Sequence, residues 1–273
     1  MPDAGSLPSW LLLRAIRGLG DATYFRLVQV FGSPDAILRA SREELLAVQV
    51  KSSLAQAICQ GPDDEAKRAV DEELKSLETL GISVIALSDP EYPSRLKTIH
   101  DPPPVLYVSG AFSPADQHAI AIVGSRKATA AGRVFTEQLS RELASLGFTI
   151  VSGLARGVDA AAHRGALTAK GRTVAVLGCG LDRTYPPEHQ ALRKQVESSG
   201  AVIAELPLGS YPHGYHFPRR NRIISGISLG VVVTEAALES GSLITARLAA
   251  EQGREVFVVP GFVKADTSRG PNA

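Results

Sequence analysis

Four short stretches of this sequence gather residue types that bind anions. The first is Gly124-Ser125-Arg126-Lys127, directly after the apolar run Ala119-Ile120-Ala121-Ile122-Val123. Glycine permits a sharp turn, the start of a following helix offers free N–H groups to an anion, and Arg126 adds a forked donor suited to phosphate. The plainer alternative is an ordinary strand-to-helix turn carrying two exposed cations. The dinucleotide fingerprint GxGxxG is absent and no acid ends the second strand, so NAD is not expected.

The second stretch is Ser152-Gly153-Leu154-Ala155-Arg156-Gly157-Val158-Asp159, with His163 following. Asp159 and His163 are four residues apart and share a helical face. A metal would need further ligands that the spacing does not supply. The expectation is therefore an Asp159–His163 hydrogen bond that braces the turn and supports a pocket, with no metal.

The third stretch is His216-Phe217-Pro218-Arg219-Arg220-Asn221-Arg222. No Asp or Glu occurs between Glu205 and Glu235, and none between Asp116 and Glu137 around Arg126. Cations beside an aromatic ring suit single-stranded nucleic acid, because the cations follow the phosphates while the ring stacks a base. Against this, Asn221 and one arginine can be absorbed by internal hydrogen bonds, and Phe217 by the core. Arg220 and Arg222 point to different helix faces, so one inward arginine is expected. The fourth stretch, Ser240-Gly241-Ser242, opens another helix, where phosphate binding and plain N-capping are equally good readings.

These stretches need elements to hold them. Residues 9–80 read as short helices, with Ser33 capping a helix that starts at Pro34 and Ser41/Glu44 in capping-box order. From about residue 82, apolar β-branched runs alternate with amphipathic segments. Strands are expected at 82–87, 105–108, 119–123, 149–151, 173–177, 201–205, 230–234 and 255–259, and helices at 129–146, 157–169, 187–199, 218–228 and 241–252. Such alternation predicts a parallel, Rossmann-like wound sheet covered on both faces, in an α/β domain over 81–273 that follows a small all-α domain over 1–80. In such a sheet, ligands sit beyond the carboxyl ends of the strands, where all four stretches fall.

Composition bounds the rest. The chain has 273 residues, 44% hydrophobic and 21% charged, with a formal net charge of +1. That total hides a net −5 over residues 1–118 and +6 over 119–273. The asymmetry points the second part toward an anionic partner. The two cysteines, Cys59 and Cys179, form no disulfide framework or zinc motif, which fits a reducing cytoplasm. Neither a signal-peptide pattern nor an apolar run of membrane-spanning length is present.

Taken in order, the motifs resemble the DNA-processing protein A (DprA, or Smf) family. The text carrying the resemblance is Ala121-Ile122-Val123-Gly124-Ser125-Arg126, the run Val151 to His163, Pro218-Arg219-Arg220-Asn221-Arg222-Ile223-Ile224, Thr234-Glu235-Ala236, Ser240 to Ala246, and Val259-Pro260-Gly261. Tyr92-Pro93 and Pro102 to Tyr107 match the lead-in to these motifs. The resemblance implies a cytoplasmic, non-enzymatic protein of natural transformation that binds and protects single-stranded DNA, helps load RecA recombinase, and acts as a homodimer without a cofactor. The resemblance places the pocket at the Gly124-Ser125-Arg126 turn and the Arg220-Asn221-Arg222 helix; together with the four stretches read above, the expected DNA contacts are Gly124, Ser125, Arg126, Lys127, Ser152, Gly153, Arg156, Gly157, Phe217, Arg219, Arg220, Asn221, Arg222, Ser240, Gly241 and Ser242.

Members of that family usually continue past the position of Ala273 into a linker and a winged-helix domain, so this chain is expected to lack that domain. Their first domain is described as resembling a sterile alpha motif. Here Leu13, Ile16, Gly18, Leu19 and Gly20 also resemble half a helix-hairpin-helix, although the domain is acidic, and an accessory role is expected. The competing class is a nucleotide N-glycosidase, the phosphoribohydrolase ("lonely guy") family on a related sheet. Its Pro-Gly-Gly-x-Gly-Thr run is missing, and only Glu235 or Glu239 stands where a carboxylate would be needed.

Overall fold

The computed structural model describes residues 6–237 and 240–260. These form two compact units. The first runs to Tyr92 and includes His100–Leu106; the second takes Pro93–Ile99 and the chain from Tyr107 onward.

The first unit contains α1 (Leu7–Arg14), α2 (Asp21–Phe31), α3 (Pro34–Arg39), α4 (Arg42–Ala47), α5 (Ser52–Gln60) and α6 (Asp64–Leu80), followed by β1 (Ser83–Ala86). The local signals operate as read. The Ser33 hydroxyl accepts from the Ala36 amide with Pro34 at the first helical position, and Ser41 and Glu44 close a full capping box. Asp63 caps α6 by accepting from the Ala66 amide. The core is apolar side chains at helical spacing, including Leu13, Leu27, Ile37, Leu45 and Ile58. The Trp10 and Tyr24 rings stack at 5.6 Å, and the Tyr24 hydroxyl donates to the Trp10 carbonyl.

The second unit is a wound sheet. Its elements are β2 (Val105–Gly110), whose first two residues belong to the first unit, β3 (Ala119–Val123), α7 (Ala130–Ser145), β4 (Thr149–Ser152), α8 (Val158–Thr168), β5 (Thr173–Leu177), α9 (Gln190–Ser199), β6 (Ala201–Ala204), α10 (His216–Ile227), β7 (Gly230–Val233), α11 (Gly241–Glu251) and β8 (Glu255–Val258). The strand order is β2-β6-β5-β4-β3-β7-β8. From β6 to β8 every pairing is parallel, as the β-α alternation requires.

The all-parallel expectation fails at one edge. β2 pairs antiparallel with β6, in the register Tyr107 with Ala204 and Val108 with Ile203. Between β2 and β3 lies only a short 3-10 turn, Pro114–His118, which is not the helix that a parallel crossover would use.

Burial explains the composition of these elements. β4, β5, β6 and β7 are buried along their whole length, so their sequences are apolar or small throughout, rich in Val, Ile and Ala, without alternation. Ala160, Ala161, Ala162 and Ala166 keep α8 narrow, and Ala162 and Ala166 pack in one cluster with Ala144 of α7 and with Ile122, Ile150 and Val232 of the sheet. The carboxyl ends of β3, β4, β5 and β7 therefore come to one rim, where the four anion-type stretches meet.

Candidate nucleic-acid interface

A cleft of about 720 Å3 opens at that rim. Its walls hold Gly124, Ser125, Arg126 and Lys127 after β3, Asp159 at the start of α8, Phe217, Arg220 and Asn221 in the first turns of α10, and Ser240, Gly241 and Ser242 at the start of α11. Residues from all four stretches line it, the second through Ala155 and Asp159.

The turn after β3 is rigid. The Ser125 amide donates to the Glu235 carbonyl at 2.6 Å, the Ser125 carbonyl accepts from the Val158 amide, and the Lys127 amide donates to the Ser125 hydroxyl. Gly157 sits against this turn with φ +74°, and a Cβ there would collide with the Ser125 carbonyl. That close approach lets α8 start beside the turn. Arg126 and Lys127 are exposed, and neither has a carboxylate partner among the described residues. The Arg126 guanidinium lies 4.9 Å from the Phe217 ring centre. Phe217 is half-buried and packs on the cleft residue Tyr185, with ring centres 5.5 Å apart. A cation thus stands over an aromatic face in the wall of the cleft.

Arg220 forms the floor. It is 5% exposed, and one of its terminal nitrogens donates to the carbonyls of Gly153 and Val176. Its Nε donates to the Asn221 side-chain oxygen, and Asn221 in turn donates to the Gly241 carbonyl at 3.1 Å. Any Cβ on residue 153 would strike the guanidinium, which is why glycine stands there. Burial, partly offset by Asp159 and reinforced by nearby Arg126, lowers the Arg220 pKa to about 10, so the group stays charged at neutral pH. Burial raises the Asp159 pKa against the opposing pull of Arg220 and the amides of Ala155 and Gly153.

Other expected contacts lie away from the cleft wall. Two arginines, not one, turn inward. Arg222 is buried and pairs with Glu205 at 2.6 Å, and the same carboxylate meets the half-exposed Arg219 at 3.3 Å. The acid-free window in the sequence thus ends at the very acid that neutralises these two cations in space. Arg156 is exposed and paired with Glu188 at 2.5 Å. The Ser152 hydroxyl donates to the Ile122 carbonyl, and the Gly153 amide donates to Asp159. The Gly153 N–H is therefore committed inside the turn and not offered to an anion.

The expected Asp159–His163 hydrogen bond gives way to two separate anchors. Asp159 accepts from the amides of Gly153 and Ala155, whereas His163 Nδ1 pairs with the Thr173 hydroxyl at 2.7 Å at the opposite end of β5. Burial, with His189, Arg220 and Arg164 adding to it, holds the His163 pKa down to about 3. No cluster of potential metal ligands occurs among the described residues.

The carboxylate of Glu235 is spent on structure, since its two oxygens accept from the Thr129 amide at 2.8 Å and the Thr129 hydroxyl at 2.6 Å at the start of α7. Glu239, the other carboxylate considered for glycosidic cleavage, lies outside the described residues, as does Gly261. Tyr185, Pro212 and Gly214 also line the cleft without having been singled out in the sequence. Each lies in a loop that leaves the carboxyl end of β5 or β6, and their loop position is the signal that could have found them.

The fold and the cleft define a Rossmann-like wound-sheet protein with a cationic, aromatic-walled ligand cleft at its strand ends. The sequence profile of the family described as DNA recombination-mediator protein A matches residues 83–273, and the chain belongs to that family. Protein Smf of Escherichia coli is 44% identical over 207 residues, covering 76% of this chain and 55% of its own length. The DNA processing protein DprA of Bacillus subtilis is 43% identical over 192 residues, covering 70% and 65% respectively. The chain thus spans between about half and two thirds of these relatives' lengths. The solved structure of DNA processing protein A from Streptococcus pneumoniae superposes with a TM-score of 0.82 at 31% identity, covering 97% of this chain and 90% of that one. A Helicobacter pylori structure of the same name, which addresses that protein's unique single-stranded DNA binding mode, gives a TM-score of 0.63 at 31% identity over 70% of this chain and 85% of that one.

Proposed function

We propose that the cleft binds single-stranded DNA in a sequence-tolerant manner, and that the protein serves natural transformation in the cytoplasm by protecting incoming DNA and helping to load RecA recombinase. The observation that carries the binding step is Arg126 standing 4.9 Å from the face of Phe217 above the buried, charged Arg220. A phosphate near Arg126 and Lys127 leaves its base within reach of the Phe217 and Tyr185 rings, which accept any base by stacking. The start of α11, where Ser240 and Ser242 share a 2.7 Å hydrogen bond, adds a second polar wall. Family membership and the single-stranded DNA mode of the Helicobacter pylori protein support the same reading.

RecA loading and homodimerisation rest on the family. Light scattering should give twice the chain mass, and a monomer at high concentration would overturn the dimer. The binding step is tested by titrating labelled oligo-dT, single- and double-stranded, at two salt concentrations. Preference for the single strand and weakening with salt are expected. Equal affinity for both forms would overturn the reading. Incubation with AMP should release no adenine, because the Pro-Gly-Gly-x-Gly-Thr run is missing and Glu235 is bonded to Thr129, the cap of α7.

A further inference from the structure

The loop between β6 and α10 displays two large rings to solvent. Tyr211 is 60% and Tyr215 is 71% exposed. The other tyrosines are used differently: Tyr24, Tyr92 and Tyr107 are buried and Tyr185 lines the cleft. Two bulky aromatic side chains four positions apart, both facing water, mark a surface that expects a partner.

The display is pre-organised. The Gly180 amide donates to the Ser210 carbonyl at 3.0 Å, and the Gly209 amide donates to Asp182 at 2.9 Å, which ties the loop to the segment after β5. The Arg183 guanidinium lies 3.8 Å from the Tyr211 ring centre. The Tyr215 ring meets His216 edge-on at 4.4 Å and lies parallel to His213 within 3°. Rings already held in place lose little freedom when a flat ligand stacks on them.

Position and charge identify that ligand. Pro212 and Gly214, which alternate with the exposed rings along the loop, line the cleft, so the rings begin where its wall ends. Asp182, which accepts from the loop's Gly209 amide, and Glu205, which precedes the loop, are each paired with an arginine. The loop is therefore aromatic and the two acids that flank it are neutralised, which suits an anionic strand of stacked bases.

We infer that Tyr211 and Tyr215 form a stacking platform outside the cleft for the bases that follow the nucleotide held inside it. This rests on the cleft binding single-stranded DNA, as proposed above. The platform lengthens the site and raises affinity for longer strands without reading their sequence.

The test compares the intact chain with its Y211A/Y215A and Y211F/Y215F variants, titrated with labelled oligo-dT of about 4 and about 12 nucleotides. The wild type should favour the longer strand. Y211A/Y215A should lose roughly 10-fold or more on the longer strand, with the shorter one unaffected. Y211F/Y215F should restore the longer strand, because the ring and not the hydroxyl stacks. Abasic positions at one end of the longer strand should reproduce the loss with the wild type and add nothing to Y211A/Y215A. A length advantage that survives in Y211A/Y215A overturns the platform while leaving the cleft in place. Equal loss on both strands also overturns it, since the rings would then be shaping the cleft wall. Absence of any wild-type binding would overturn the cleft reading and the platform together.

Discussion

Arg222 and Glu205 form an ion pair at 2.6 Å in which each side chain is only 5% exposed. Taking Arg222 away leaves the buried Glu205 carboxylate without its buried partner and with the half-exposed Arg219 beside it. Arg222→Met should therefore lower the unfolding free energy by about 3–5 kcal/mol, whereas the double change with Glu205→Leu should recover most of it. Urea unfolding of the single and double variants checks this, and additive losses would show that the pair is not coupled.

Arg126 is exposed and lacks a carboxylate partner among the described residues, so its removal should leave stability alone. Arg126→Ala should weaken binding of every single-stranded sequence alike and reduce the salt slope by about 0.7, the value for one phosphate contact on a single strand. Fluorescence anisotropy at several salt concentrations reads both quantities. An unchanged slope in a folded variant would exclude Arg126 from phosphate contact.

Phe217 packs between Arg126 and Tyr185. Phe217→Leu keeps an apolar side chain but removes the stacking face. It should cost about 1–3 kcal/mol of oligo-dT affinity with the salt slope intact, which separates stacking from charge.

Burial depresses the His163 pKa to about 3 from 6.5. The folded state therefore prefers the neutral ring, and the unfolded chain takes up the extra proton first. The stability tied to this group is fully present above about pH 6.5 and is lost as pH falls toward about 3, with a slope of up to about 1.4 kcal/mol per pH unit. Chemical denaturation across that range should show the slope in the wild type and a shallower one in His163→Gln.

Glu235 bonds to the Thr129 amide and hydroxyl at the start of α7. Glu235→Ala should lower stability by about 1 kcal/mol through loss of these two hydrogen bonds, the exposed Thr129 amide then turning to water. Its effect on oligo-dT affinity should disappear at temperatures where the variant is fully folded, as a thermal melt run beside the titration would establish.

Much of the second unit is written locally. β3 and β5 occupy the expected residues, and the other strands differ by a residue or two, because each apolar run ends at a turn-forming residue such as Gly124 or Gly178. The same locality exposed the cleft, since Gly124, Phe217 and Ser240 stand just beyond or just at element ends. What could not be read depends on distance in space. Glu205 reaches Arg222 across seventeen residues and one loop, and no residue spacing announces that pair. Asp159 and His163 share a helical face, yet Asp159 is drawn to amides at the helix start and His163 to a strand hydroxyl. The direction of β2 is set by the short connection to β3 and not by the apolar character of the strand itself.

Glu205 also limits how tightly the cleft can grip. By engaging Arg222 and Arg219, it leaves Arg126 and Lys127 as the exposed cleft cations, with Arg220 below them beside Asp159. About two phosphate contacts give a salt slope near 1.4 in magnitude, far below that of a polybasic clamp. Short residence is the kinetic counterpart. On the proposed binding of single-stranded DNA, a strand held by so few charges should let go quickly and rebind quickly.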